Sequence, residues 1–277
     1  MKQTLPETVQ KAQSGDPAAL AEIVRDVQGR VYGVALRMLW HPEDAEDVTQ
    51  EILLRVVTHL GGFRGDSKFE TWVYRIAVNH LLTWRKSRME EQGLTFEAFG
   101  RDLEEGLADH GEHLDNVILS QEIRVGCTLG MLLCLDRAHR IAYILGEILE
   151  LNSNEAASVL KVGRSAFRKR LERARSQIVA FMKARCGLAN AENPCRCRRR
   201  LPRAVELHRV DRKHLLFAGE MQNANTFPHV LTDIRRLEEA QRAVALFRSH
   251  PEYAVPDFTA AVTALLCADR RAGHHSG

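Results

Sequence analysis

The segment from Arg64 to Arg88, RGDSKFETWVYRIAVNHLLTWRKSR, constrains the fold most strongly because it places apolar side chains at helical spacing directly after a helix-start signal. Ser67 followed by Glu70 matches a capping box, so we expect a helix to begin there. Side chains suited to burial then recur at helical spacing: Phe69, Trp72, Val73, Ile76, Ala77, His80 and Trp84. This periodicity predicts an amphipathic helix with one face packed on the rest of the fold.

The opposite face of the same helix is basic, with an aromatic ring and an amide. It carries Thr71, Tyr74, Arg75, Asn79, Thr83, Arg85, Lys86 and Arg88. Cationic groups bind phosphates, an amide hydrogen-bonds to base edges, and a tyrosine ring stacks on an unpaired base. The face therefore favours single-stranded DNA binding, and the alternative is an ordinary amphipathic helix with a solvated basic face.

The segment that precedes this basic helix, HPEDAEDVTQEILLRVVTHL, is rich in acidic residues. Its five acidic residues between Glu43 and Glu51 are more than a helix dipole requires. Together the two segments resemble region 2 of the extracytoplasmic-function group of RNA polymerase sigma factors. The resemblance rests on Asp44-Ala45-Glu46-Asp47, Gln50-Glu51, Phe63-Arg64-Gly65, Ser67, Phe69, Thr71-Trp72, Tyr74-Arg75-Ile76-Ala77 and Asn79.

This resemblance implies that the acidic helix docks on the clamp coiled coil of the largest polymerase subunit. The matching polymerase contacts are Asp44, Asp47, Gln50 and Glu51. The following loop and helix would capture the non-template strand of the promoter −10 element, through Arg64, Ser67, Lys68, Thr71, Tyr74, Arg75 and Asn79. Trp72 and Trp84 lie on the apolar stripe, and we expect both to pack in the interior.

A second nucleic-acid signature, a predicted helix-turn-helix, begins at Asn152, which with Glu155 can cap a short helix. Gly163 is expected to make the tight turn before a longer helix that starts at Arg164 or Ser165. That helix has an apolar seam of Phe167, Leu171, Ala174, Ile178 and Phe181. Between Lys161 and Arg185 there are nine Lys or Arg residues against one acid, Glu172, which suits a recognition helix in a major groove.

The segment from Lys169 to Arg175, KRLERAR, resembles the recognition helix of region 4 in the same sigma factors. The resemblance implies that Arg164, Ser165, Arg168 and Lys169 read the −35 element and that Arg173 and Arg175 contact its backbone. Ala166 and Lys169 stand where the family pattern usually has a threonine and a serine, so the −35 preference of the family does not transfer. The alternative is a basic helix on the surface of a helical bundle.

We predict an all-α protein, because helical periodicity with caps recurs and strand signals are few. The expected domains are residues 1–90, equivalent to region 2, and residues 117–186, equivalent to region 4, joined by a flexible acidic linker at 91–116. Residues 187–277 would form a small helical extension, with helices near 231–249 and 256–268. Sigma factors of this group usually end soon after the recognition helix, so we expect the extension to be regulatory.

Three cysteines, Cys186, Cys195 and Cys197, precede a run of arginines at the start of this extension. They could bind zinc with His208 or His214 as a fourth ligand, act as a redox switch, or be incidental. Their spacing matches no standard zinc signature, so we predict no metal and no cofactor. Cys127, Cys134 and Cys267 lie in apolar helical patterns and are expected in the interior.

The resemblance implies a non-catalytic initiation factor that would bind core RNA polymerase and direct it to promoters through their −10 and −35 elements. Its expected partners are core RNA polymerase, at the clamp coiled coil and flap region, promoter DNA in duplex and single-stranded form, and an anti-sigma factor. The alternative is a stand-alone helix-turn-helix repressor or activator. A nuclease is disfavoured because the clustered acids have no accompanying histidine ligands or phosphate-binding loop. No apolar run approaches the roughly 20 residues that a bilayer requires, so we expect a cytoplasmic protein without membrane contact.

Overall fold

The computed structural model describes residues 7–86, 88–107, 117–218, 234, 237–250, 253 and 255–264. Every regular element in these ranges is a helix, which confirms the all-α prediction. The chain divides into two compact units. Unit 1 comprises Met1–Arg85, Ala157–Val162 and Val255–Gly277, and unit 2 comprises Lys86–Ala156 and Gly163–Ala254.

Unit 1 is built on a long central helix that packs against its neighbours in the chain. Its helices are α1 (Glu7–Gln13), α2 (Pro17–Leu39), α3 (Pro42–Thr58) and α4 (Phe69–Thr83). Helix α2 begins where the Asp16 carboxylate accepts the backbone N–H groups of Ala18 and Ala19, with Pro17 in the first turn. It packs on α1, α3 and α4, and side chains such as Val34 and Ile52 are fully buried.

The predicted capping box at the start of α4 is wrong. The helix begins at Phe69 with Lys68 as its N-cap residue, and no side chain caps it. The Ser67 hydroxyl donates instead to the Lys68 carbonyl at 3.2 Å, while Glu70 lies 3.4 Å from Arg30 on α2. The contact with α2 takes Glu70 away from the helix end, so tertiary contacts override the local signal.

Unit 2 contains most of the remaining helices. They are α5 (Arg88–Glu91), α6 (Phe96–Glu104), α7 (Val117–Leu133), α8 (Arg137–Tyr143), α9 (Ser153–Leu160), α10 (Arg164–Arg185), α11 (Cys197–Glu206) and α12 (Glu239–Arg248). Helix α8 runs on into a π-helical segment, Ile144–Ile148, and α9 is divided between the units after Ala156. Helix α10 packs on α6, α8 and α12, and α11 packs on α7.

Part of the range predicted as a flexible linker, 91–116, is helical and packed. Thr95 caps α6 through the Ala98 N–H, and the ring of Phe99 stacks on that of Phe181 with centroids 5.6 Å apart. Leu103, one turn further on, is buried. The glycines and acids of this range conceal a short apolar stripe, which is why its sequence resembles a linker. Residues 108–116 lie outside the described part of the chain.

The described parts of the C-terminal extension are incorporated into both units. In unit 2, the buried Glu122 of α7 accepts three backbone N–H groups, from Leu216, Phe217 and Ala218. In unit 1, residues 258–264 are helical, and the Phe258 N–H donates to the Gln28 side chain at 3.2 Å. The helices predicted near 231–249 and 256–268 are thus present over 239–248 and 258–264, and the remaining positions include residues outside the described part of the chain.

Candidate nucleic-acid interface

The carboxylates of the acidic helix α3 differ in their contacts with neighbouring side chains. Asp47 is exposed and Gln50 is half-buried. Asp44 lies 3.1 Å from Arg85, and Glu51 lies 3.0 Å from the His80 ring. Of the four predicted polymerase contacts, two are therefore in contact with the C-terminal end of α4 and its flank.

Like charges on α3 affect its acid–base behaviour. Partial burial raises the pKa of Glu46, and the neighbouring Glu43 and Asp47 add to the increase. Burial and the nearby Arg55 lower the pKa of His80, although Glu51 opposes the shift. The result is an acidic helix beside a histidine whose neutral form is favoured by its surroundings.

The loop before α4 and one side of that helix expose several of the predicted DNA contacts. Arg64, Lys68 and Asn79 are exposed, and Ser67 is half-buried. Arg75 is half-buried and donates to the Ser158 hydroxyl at 2.8 Å, within unit 1. These residues leave cationic and amide groups at the surface of the unit.

Two predicted contacts, Thr71 and Tyr74, lie inside unit 1 rather than on its surface. Their exposed fractions are 4% and 8%, and burial raises the pKa of Tyr74. The buried face of α4 contains Thr71, Val73, Tyr74, Ala77, Val78 and Leu81. This face is rotated from the predicted stripe because Phe69 and Trp72 pack to one side, against Phe63 and the end of α1. Trp72 and Trp84, both expected in the interior, are each half-buried: Trp72 packs against this cluster and Trp84 lies beside His80.

The start of the predicted helix-turn-helix has the local geometry that its sequence indicates. The Asn152 side chain accepts the N–H groups of Asn154 and Glu155, and the Glu155 carboxylate accepts the Asn152 N–H at 3.1 Å. This reciprocal pattern is a capping box, and it confirms the predicted start of α9.

The turn after α9 differs from the prediction. Lys161, not Gly163, adopts the left-handed conformation, with φ of 52°. The Val162 N–H bonds to the Ala157 carbonyl and the Lys161 N–H to the Ser158 carbonyl, which is the hydrogen-bond pattern of a Schellman motif. Gly163 has φ of −67° and serves as the N-cap residue of α10.

Most of the predicted −35 contacts lie on the open side of α10. Arg164, Ser165, Arg168, Lys169 and Arg173 are exposed, and the apolar seam is buried except for the half-buried Leu171. Arg175 differs because its guanidinium is paired with the buried Glu147 of the π-helical segment. Sequence reasoning missed this pairing, although an acid within the apolar run IAYILGEILEL was the available signal.

The residue that lies near the three cysteine candidates is a fourth cysteine, Cys127, and not His208 or His214 as the sequence suggested. Cys186 and Cys195 form an isolated parallel β-bridge, whereas His208 and His214 are exposed. Cys127 of α7 lies within electrostatic range of Cys186, Cys195 and Cys197. Cys134 is half-buried, and Cys267 lies outside the described residues. In the described ranges, no group of three or more His, Cys, Asp or Glu side chains is placed to hold a metal ion.

Across the described residues, none of the helices combines the length and apolar character needed to cross a membrane.

Comparison with known proteins gives a consistent result. The family model "Sigma-70 region 2" matches residues 23–90. The RNA polymerase sigma-H factor of Pseudomonas aeruginosa is 32% identical over 182 residues, covering 62% of this chain and 90% of that protein. The ECF sigma-E factor of Escherichia coli is 30% identical over 176 residues, covering 61% of this chain and 90% of that protein. The ECF sigma factor SigW of Bacillus subtilis is 26% identical over 183 residues, covering 64% of this chain and 96% of that protein.

A solved structure, that of CnrH in complex with the cytosolic domain of CnrY, aligns with a TM-score of 0.46 at 23% identity. The alignment covers 64% of this chain and 96% of that one. Each of these matches leaves more than a third of the present chain uncovered.

Proposed function

Because the chain belongs to the extracytoplasmic-function group of sigma-70-family RNA polymerase sigma factors, we propose that it binds core polymerase through α3 and recognises promoters through α4 and α10. The observation that carries this proposal is the arrangement of charge in unit 1. An acidic helix with an exposed Asp47 lies beside a loop and helix that expose Arg64, Lys68 and Asn79. One small unit thus offers separate surfaces to a basic protein partner and to a nucleic acid.

The polymerase-binding surface that we propose contains Asp44, Asp47, Gln50 and Glu51. Asp47 needs no rearrangement because its carboxylate is exposed. Asp44 and Glu51 are in contact with Arg85 and His80. A basic partner surface would compete with these contacts for the two carboxylates. Asp47 should therefore contribute most to docking.

For the −10 element, we propose that Arg64, Lys68 and Asn79 make direct contacts, with Ser67 and Arg75 at the margin. Cationic side chains would follow the phosphates of the non-template strand, and the Asn79 amide would hydrogen-bond to the edge of an unstacked base. Thr71 and Tyr74 are buried, so we assign them the role of supporting α4 rather than touching DNA in this conformation.

For the −35 element, we propose that the N-terminal half of α10 enters the major groove. Arg164, Ser165, Arg168 and Lys169 would reach base edges, and Arg173 would contact a phosphate. The support is their exposure along one helix whose opposite seam is buried. Arg175 is paired with Glu147, so its contribution to DNA binding should be smaller.

The decisive experiment is in vitro transcription with purified core polymerase and a library of genomic fragments. The wild-type protein should create new start sites. Asp47→Arg should abolish them because it reverses the charge of an exposed contact. Glu43→Arg, a charge reversal at another exposed position of α3 outside the proposed surface, should retain most of the activity. Asn79→Ala should bind polymerase normally but lose open-complex formation.

The alternative, a stand-alone helix-turn-helix regulator, predicts a different order of binding. Such a protein binds duplex DNA tightly by itself, while a sigma factor should require polymerase for tight and specific binding. If core polymerase neither binds the protein nor gains new start sites, and the protein alone protects a duplex operator through α10, the proposal is overturned.

A further inference from the structure

Unit 2 contains an open cleft between α10, the π-helical segment and α12. Its volume is about 710 Å³, within the range of sites that bind small organic molecules. Leu237, Val244 and Ala245 contribute to an apolar side of the cleft, and Glu147, Arg175 and Arg248 contribute to a charged end. The cleft therefore offers two kinds of surface to one small molecule.

The apolar side of the cleft is accessible to solvent. Leu237 is 37% exposed, and Val244 and Ala245 are half-buried. The opposite face of α12 is in the interior, where Leu246 and Phe247 are buried. The side chains that line the cleft are thus outside the core of the unit. A ligand that covers them removes apolar surface from water, which favours binding.

The two arginines at the charged end differ in how they are paired. Arg175 pairs with the buried carboxylate of Glu147. Arg248 donates to the Glu147 carbonyl at 2.6 Å, and its guanidinium lies 2.7 Å from the Glu150 carboxylate. The Glu150 side chain is 65% exposed, so its pair with Arg248 is a surface pair that contributes little stability. Another anion can replace Glu150 there, because the displaced carboxylate returns to water.

Both guanidinium groups keep hydrogen-bond donors in reserve. The contacts with protein acceptors use Nε and Nη2 of Arg175, and Nε and Nη1 of Arg248. The other terminal nitrogen of each arginine has no acceptor among the described residues, and the two side chains are 48% and 38% exposed. Since both arginines contact Glu147, these donors lie near the same residue. A carboxylate ligand could accept from them while the pair between Arg175 and Glu147 stays intact.

A buried phenol beside the charged end also has an unused donor. Tyr143 is fully buried, and within the described part of the chain its hydroxyl has no hydrogen-bond partner. It lies within electrostatic range of Glu147, Arg175 and Arg248. Buried hydroxyl groups are normally hydrogen-bonded, so an unpaired one calls for an explanation. The π-helical segment that follows Tyr143 is a rare conformation that is frequent at functional sites.

We propose that this cleft binds a small amphipathic carboxylate. Its anionic group would accept hydrogen bonds from Arg175 and Arg248, and its apolar body would cover Leu237, Val244 and Ala245. Binding would open the surface pair between Arg248 and Glu150. The inference does not depend on polymerase or promoter binding, because every contact it uses lies within unit 2.

The test is isothermal titration calorimetry of the full-length protein with three probes that share one alkyl chain: decanoate, decanamide and decylammonium, each below its micelle concentration. We expect decanoate to bind at one site per chain and at least about 10-fold more tightly than decanamide, because hydrogen bonds to a charged group are stronger than those to a neutral one. Decylammonium should bind more weakly than decanamide, since its cationic group would meet two guanidinium groups. This comparison needs no variant.

Two variants and a control assign the site. Arg248→Met should weaken decanoate binding by about 10-fold or more and leave decanamide binding unchanged, because it removes only a contact to the anionic group. Ala245→Trp should weaken binding of both probes by filling the apolar side. Arg101→Met is the matched control, because Arg101 is an exposed arginine of the same unit that pairs with an exposed carboxylate, that of Glu97, away from the cleft.

The proposal is overturned if the wild-type protein does not bind decanoate, or binds decanoate and decanamide equally well. It is also overturned if Arg248→Met, folded as judged by circular dichroism, binds decanoate like the wild type. Decanoate binding that Ala245→Trp leaves intact would place the ligand elsewhere on the molecule. In vitro transcription without any probe tests polymerase and promoter binding separately, so failure of one proposal is distinguishable from failure of the other.

Discussion

The carboxylate of Glu90 pairs with two arginines of α8, Arg137 and Arg140, within unit 2. Its carboxylate lies 2.6 Å from Arg137 and 2.8 Å from Arg140, and all three side chains are largely buried. Arg140 also donates to the carbonyls of Leu132, Leu133 and Leu135. Burial lowers the pKa of Arg140, and Glu90 counteracts that shift by favouring the charged form.

Removing Glu90 leaves a buried guanidinium without its counter-ion. We expect Glu90→Ala to reduce the free energy of unfolding by about 3 kcal/mol, since breaking a buried pair from one side typically costs that much. Chemical denaturation monitored by circular dichroism measures it. Glu91→Ala is the matched control because Glu91 is exposed on the same helix, and a loss of equal size there would contradict the assignment.

The left-handed turn at Lys161 gives a second prediction at a single residue. A side chain in this conformation costs roughly 1 kcal/mol that glycine avoids. Lys161→Gly and Lys161→Ala remove the same charge, but only the glycine relieves the backbone. We expect the glycine variant to be more stable than the alanine variant by about 1 kcal/mol in thermal unfolding. Equal melting temperatures would show that the turn is not strained.

At the scale of the element, α10 carries arginines of two kinds. Arg173 is exposed, whereas Arg175 is paired with the buried Glu147. In duplex binding by holoenzyme, Arg173→Ala should reduce the slope of log affinity against log salt by about 1, as expected for one lost phosphate contact. Arg175→Ala should change that slope less and lower the melting temperature instead. Equal slope changes would place both side chains on DNA.

For single helices, the sequence predicts where a helix lies better than it predicts which face of the helix is buried. Apolar periodicity located α4 and α10, and Asn152 with Glu155 marked the start of α9, because these signals depend on neighbours within one or two turns. The buried face of α4 was misplaced, since α4 is apolar on several sides and contacts from α2, α3 and Phe63 decide which side faces inward.

Contacts between residues far apart in the sequence had no local signal. Cys127 and Cys197 are brought together by the packing of α7 on α11, and Glu122 meets its backbone partners more than ninety residues later. A glutamate such as Glu122 within an apolar pattern indicates only that its carboxylate needs a polar partner when it is buried. Which partner it is depends on the tertiary fold.

At the scale of the whole molecule, the extension expected to be regulatory also completes the interior of unit 2. Besides the three N–H groups that Glu122 accepts, Arg124 donates to the Leu246 carbonyl and to Ser249. Both α7 side chains are almost fully buried. A chain that ends at Asn190 would leave both charges in the interior without these partners, whereas one that ends at Ala254 keeps them.

We therefore expect truncation after Asn190 to lower the melting temperature by on the order of 10 °C or more, because each orphaned buried charge costs about 3 kcal/mol or more. Truncation after Ala254 should leave unit 2 stable. Replacing Glu122 and Arg124 by Leu and Met in the shorter chain should recover part of the loss, since the orphaned charges would then be gone. If the shorter chain melts like the full protein, the extension is dispensable for folding, and any change in promoter output after its removal is regulatory.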